Sequence, residues 1–238
     1  MAAGEAQRAD ARARARACTS LELGWRKWGK ASDEGRAALS ACANALTRKA
    51  YAEGDAWGPL SDCADVQLRV ATHAAAQHRA ARDELTLAID RLAAVVDGMR
   101  TAVDALRAHA AASAARARGA RSDAEPSSPE SSHGRRPGSD VAGCEQLARL
   151  ADRAVRALER ELRLRRAIAA EIARGAPSAL PAFAEKTTKL YVSAWVLQPY
   201  VDERWVDEFL AALRSVDEPA PHRSPGRSPA SKTASPAL

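Results

Sequence analysis

Between Asp62 and Arg118 the chain runs without a proline and with a single glycine, Gly98. Inside that run Leu85, Ile89, Leu92, Val96, Met99, Val103 and Leu106 alternate spacings of four and three, the a and d positions of a heptad. A helix of roughly fifty-five residues spans on the order of 80 Å. An object that long needs a partner along its length. Before Leu85 the seam is mostly alanine, so it demands very close packing or another chain.

Composition narrows the choice of partner. Aromatic residues make up only 4% of the 238, and the 46% hydrophobic fraction is dominated by alanine, which favours helix but buries little area per residue. Narrow helix-helix seams suit that better than a thick core. The expected fold is all-α: an elongated antiparallel helical hairpin or coiled coil with short flanking helices. The returning arm is a second helix from about Val141 to Arg174, with Leu147, Ala151, Val155, Leu158 and Leu162 on the seam.

The remaining segments follow from punctuation. Residues 1–19 are expected to be a disordered basic arm; alternating Ala and Arg there mimic a mitochondrial transit peptide, but Glu5 and Asp10 argue against one. Residues 20–118 hold the long heptad helix and, before it, two short helices, one with Leu21, Trp25 and Trp28, the other with Leu39, Cys42, Leu46 and Ala50. Ser32-Asp33-Glu34-Gly35 is a natural kink between them, and Trp57 falls on a turn beside Gly58 and Pro59. Residues 119–139, rich in serine and proline and without an apolar cluster, read as a disordered linker, and residues 217–238 as a second disordered tail.

Residues 140–216 carry the returning helix and then an aromatic tip. Gly175 and Pro177 stop the helix. A short helix restarts near Glu185 with Leu190, Tyr191, Ala194, Trp195 and Leu197, and Pro199 ends it. A last helix follows with Trp205, Val206, Phe209, Leu210 and Leu213 on one side and Asp202 as N-cap. Six of the ten aromatic residues lie between Phe183 and Phe209. Trp195, Gln198, Pro199 and Tyr200 therefore form either a proline-fixed docking knob or a cap on the chain's own bundle; the sequence supports both.

The run Glu161-Leu162-Arg163-Leu164-Arg165-Arg166, with Ile168-Ala169 and Glu171-Ile172-Ala173, precedes Leu190-Tyr191-Val192-Ser193 and Trp195-Val196-Leu197-Gln198-Pro199-Tyr200-Val201. Together these resemble the C-terminal signature of the cyclin-dependent kinase 2-interacting protein family, over roughly a fifth of the chain. Lys27-Trp28, Gly35 and Asn44 are similar to the family's N-terminal helical segment. The resemblance implies a non-enzymatic adaptor in the nucleus. Its implied associates are a cyclin-dependent kinase, an origin-firing kinase, replication-origin and checkpoint proteins, and an AAA-type ATPase complex acting in large-ribosomal-subunit biogenesis. Trp195, Gln198, Pro199, Tyr200, Tyr191, Trp205, Arg166 and Glu171 are the candidate partner-binding residues.

Other chemistry is sparse. Arg149, Arg153, Arg156, Arg160 and Arg163 recur at spacings of four and three, nearly opposite the apolar seam. That stripe either grips phosphates or an acidic partner or is simply a solvated face balanced by Asp152, Glu159 and Glu161. A net charge of +6 permits contact with nucleic acid without requiring it, which keeps a basic nucleic-acid-binding module, or a self-associating coiled coil, as alternatives. His73 and His78 do not share a helix face, and Cys18, Cys42, Cys63 and Cys144 lack ligand spacing, so no metal or cofactor is expected and a reducing compartment is the simpler reading. No phosphate loop, nucleophile elbow or acid/base constellation occurs, and no apolar run reaches membrane-spanning length. Ser128, Ser224, Ser228 and Ser235 precede prolines, and Ser224 and Ser228 are candidate phosphosites; Arg160-Glu161-Leu162 looks like a cyclin-docking string but is committed to a helix.

Overall fold

A computed structural model describes residues 2–53, 57–58, 63–122, 137–174 and 181–217. Among them the regular elements are α1 (Ala2–Ala52), α2 (Ala64–Ser122), α3 (Pro137–Arg174), α4 (Pro181–Leu197) and α5 (Glu203–Asp217). The all-α class and the long helices expected from the heptads are present.

Cross-helix partners fix the directions. Ascending α1, its residues meet descending residues of α2: Asp10 pairs with Arg116, Gly24 faces Met99, Glu34 pairs with Arg91 and Arg48 bonds Gln77. Those two helices are antiparallel. Arg107 to Asp152 at 2.7 Å and Arg100 to Glu159 set α2 antiparallel to α3. Arg14 with Cys144 and Ser32 with Arg165 make α1 and α3 parallel. The last two helices then run back along α1, with Trp195 at Gly35, Gln198 at Trp28 and Trp205 at Trp25.

The architecture is thus an up-down-up-down four-helix bundle whose fourth place is shared end to end by α4 and α5. Both α1 and α3 touch α2 on one side and the α4–α5 pair on the other, and meet each other only sparsely across the diagonal. Leu85, Leu92, Met99 and Leu106 from α2 and Leu147, Leu158 and Leu162 from α3 share one core with Leu21 and Leu39 of α1 and with Trp205, Phe209 and Leu213 of α5. The two heptad seams meet as the sequence predicts. Each such side chain removed from water contributes about 1.5–3 kcal/mol, so a bundle this poor in aromatics is held by length rather than thickness.

Three expectations are corrected. Residues 1–19 are not an unstructured arm: α1 begins at Ala2, and Ala17 and Cys18 are buried. Alanine and arginine are both strong helix formers, and ties from Asp10 to Arg116 and from Arg14 to Cys144 hold the segment against α2 and α3. The kink at Ser32–Gly35 does not form either; α1 is continuous through it. Gly35 stands there because a Cβ would lie 2.3 Å from Cζ2 of Trp195, and Ser32 because its hydroxyl accepts from Arg165. What reads as a breaker is a close-contact surface. Finally, the aromatic segment is not a tip held out from a hairpin. Trp195, Trp205, Phe209 and Leu213 are buried, and burying them lays α4 and α5 lengthwise against α1 and α3.

Boundaries otherwise shift by a few residues. The short helix starts at Pro181 rather than near Glu185, where a proline lacking an N–H costs nothing in the first turn. Trp57 lies on the expected turn and donates to the Ala52 carbonyl at 3.1 Å. The linker core at 123–136, the segment 175–180 that includes Gly175 and Pro177, the tail 218–238 and the serines 128, 224, 228 and 235 lie outside the described residues.

Candidate partner-binding surface

The turn from Gln198 to Asp202 is the point on which α1, α3, α4 and α5 converge. Pro199 has no N–H, so the helical bond that would close on the Trp195 carbonyl is missing. Arg165 of α3 takes its place, donating from Nη2 to that carbonyl at 3.4 Å. The same guanidinium donates from Nη1 to Ser32 Oγ at 2.6 Å and from Nε to Glu161 Oε1 at 3.1 Å. Trp28 and Trp195 flank it with ring centroids at 5.0 and 4.5 Å. A cation placed between two indoles in a desolvated site gains from both ring faces.

Arg165 and Glu161 are both completely buried. Burial pushes the Glu161 carboxyl above the usual carboxylate range, opposed by the Arg165 charge and by the Tyr200 backbone amide turned toward it. Its Oε2 atom has no full hydrogen bond among the described residues. Trp195 Nε1 donates to the Ser32 carbonyl at 3.0 Å, and Trp28 Nε1 donates to Gln198 Oε1 at 3.2 Å. Gln198 adopts φ 44°, the left-handed position that closes a helix just before a proline, and its carbonyl accepts from Val201 N at 2.8 Å. Glutamine is an uncommon occupant of that region, and the indole of Trp28 holds it there. Asp202 then caps α5, its Oδ1 accepting from Arg204 N at 2.9 Å, as the sequence predicts.

The signature residues therefore divide between two roles. Trp195 and Trp205 are core, with Trp205 edge-on to Trp25 at 6.2 Å, and Gln198 is a half-buried strut. Tyr191 is half-buried against the core cluster. Pro199 and Tyr200 face solvent. Arg166 and Glu171 are exposed on α3, Glu171 bonded to Arg174, and no described hydrogen bond or ion pair joins either to the turn. For Trp195 and Trp205 the bundle cap is what the structure shows; what remains open to a partner is the outer side. There Leu190, Val196, Leu197 and Tyr200 are 64%, 50%, 75% and 47% exposed. Lys186, Lys189 and Ser193 are exposed on the same side, so α4, locked inward by Trp195, is covered on one side only and presents leucines among polar groups on the other.

Beside the turn the arginine stripe is exposed, and the fold gives it a second wall. Arg149, Arg153, Arg156 and Arg160 of α3 line a groove of about 410 Å³ closed by Tyr200, Asp202 and Trp205. Asp152 at its floor pairs with Arg156 at 2.6 Å and with Arg107 of α2 at 2.7 Å. Arg149, Arg153, Arg160 and Arg163 make no ion pair among the described residues. No group of His, Cys, Asp and Glu able to hold a metal occurs among the described residues, and no helix there is long and apolar enough to cross a membrane.

Sequence reasoning missed Arg165 and Ser32 as members of this junction. The signal for Arg165 was its place in the α3 seam, on the line through Leu158, Leu162, Ala169 and Ile172, where a charge demands buried partners. No family model matches the chain, and neither does any curated protein.

Proposed function

We propose that this chain is a non-enzymatic helical adaptor that presents the outer face of α4 and the Gln198–Asp202 turn to protein partners. The resemblance to the cyclin-dependent kinase 2-interacting protein family suggests which: cell-cycle kinases, replication and checkpoint components in the nucleus, and an AAA-type ATPase complex of large-subunit ribosome biogenesis. The observation that supports the reading is the exposure of Leu190, Val196 and Leu197 on α4, whose other side is fastened down by Trp195, next to the exposed Tyr200 of the following turn. Rigid presentation lowers the ordering cost of binding, and a tyrosine on a proline-fixed turn is of the residue type that anchors hot spots, with the leucines beside it supplying apolar contact.

The test is affinity purification of the wild-type chain beside Leu190→Asp combined with Leu197→Asp. Both positions are exposed, so thermal unfolding should stay within a few degrees of wild type while an ATPase complex and kinases present in the wild-type sample disappear. Identical protein partners for the two chains would contradict the reading. Trp195 is unsuited to such a test, because its loss would unseat the junction itself.

A further inference from the structure

We propose that the groove along α3 is a docking site for an acidic helix of a partner protein, one that carries carboxylates a helical turn apart. The inference deepens the adaptor reading and rests on it for the existence of a protein partner, but it concerns a different surface. Three observations carry it. The stripe residues Arg149, Arg153, Arg156, Arg160 and Arg163 follow a strict four-three spacing. The exposed face of any helix with a heptad seam recurs at that spacing; what sets this one apart is that all five of these exposed positions are arginine, where a phosphate backbone would impose no helical register. A four-three period keeps successive side chains on the line that a neighbouring helix follows in a left-handed supercoil.

Second, the stripe lies on the outer side of the α3 and α5 pair, where Tyr200 and Asp202 rise as an opposing wall and leave a groove rather than a flat face. From Arg149 to Arg160 the arginines extend over roughly 16 Å of helix, room for about three turns of an occupant. Third, the charges are arranged for carboxylates rather than for a continuous polyanion. Asp152 sits at the floor between Arg107 and Arg156, and Asp202 stands on the rim. Evenly spaced phosphates would pass both acids; carboxylates in helical register meet Arg149, Arg153 and Arg160 and skip them. The planar guanidinium binds a carboxylate bidentately, which adds register to attraction.

The experiment uses the full chain and three labelled probes in fluorescence anisotropy. The first is a synthetic helix of about three heptads with glutamates in four-three register on one face. The second has the same composition with the glutamates distributed around the helix, and the third is a single-stranded DNA oligonucleotide. The in-register helix should bind about tenfold more tightly than its scrambled counterpart. Arg149→Ala, Arg153→Ala and Arg160→Ala together should abolish that difference with the circular dichroism melt unchanged, and Arg153→Glu alone should weaken the in-register helix severalfold. Equal binding of the two peptides, or none, overturns the proposal. So does tighter, steeply salt-dependent binding of the oligonucleotide through the same arginines, which would assign the groove to phosphates. Loss of partners in the Leu190/Leu197 purification has no bearing on these peptide affinities, so either result can fail alone.

Discussion

Arg165 is the residue on which the junction turns. Its guanidinium is removed from water, which is costly, and that cost is offset by Glu161, Ser32 Oγ, the orphaned Trp195 carbonyl and two indole faces. Arg165→Met leaves Glu161 buried without its partner and should destabilise the bundle by about 3–5 kcal/mol in chemical denaturation, whereas Arg165→Met with Glu161→Leu should recover a large part of that. Equal losses for the single and double variants would mean the ion pair is not the main term. Cys42 gives a second expectation. Burial raises its thiol from 9.0 to about 11. The fold thus favours the neutral thiol, so this contribution to stability is whole below pH 9.0 and is lost as pH climbs through about 11. In the native chain exposed Cys63 should react with a thiol reagent at pH 8 while Cys42 stays unmodified until the chain unfolds.

At the scale of elements, the glycines of the helices separate two causes that look alike in sequence. Gly35 is needed because the Trp195 ring occupies the space of a side chain, whereas a Cβ at Gly98 would meet nothing within 4 Å. Gly35→Ala should therefore cost about 1–3 kcal/mol through displacement of Trp195. Gly98→Ala should instead stabilise α2 by about 0.5–1 kcal/mol, as expected for an open helical position. Thermal melts of the two variants should move in opposite directions. The same pair explains what the sequence made legible. The seams of α2 and α3 were readable because heptad spacing is local and repeats. Gly35 and Ser32 were read as a kink because a helix breaker and a contact site share the same residues. Only Trp195, far along the chain, decides between them. The N-cap at Asp202 was legible for the opposite reason: its partner, Arg204 N, is two residues away.

For the whole molecule, the decisive step is the return of α4 and α5 along α1 and α3. Two heptad helices alone suggest a hairpin, and aromatics clustered beyond them suggest a tip. Nothing local says that the aromatic segment would supply the fourth side of a bundle. Burial of Trp195, Trp205, Phe209 and Leu213 favours that side-on arrangement, and the proline-broken turn lets one helix become two without leaving the groove. As a consequence, inner faces carry the core and the Arg165 junction, while the outer face of α4 and the arginine groove stay exposed. Of the candidate site, the arginine stripe was legible as a period and the aromatic signature as a string. Which of its rings would face inward was not, because that depends on where the turn docks.

The most direct measurement is a nuclear Overhauser spectrum of the intact chain, looking for contacts from the Trp195 indole to the Gly35 α-protons. Strong cross-peaks are expected there, together with a slowly exchanging Trp195 indole proton bonded to the Ser32 carbonyl. A freely exchanging indole with no cross-peak to Gly35 would mean that α4 does not lie against α1, and the bundle described here, with the surfaces it presents, would not stand.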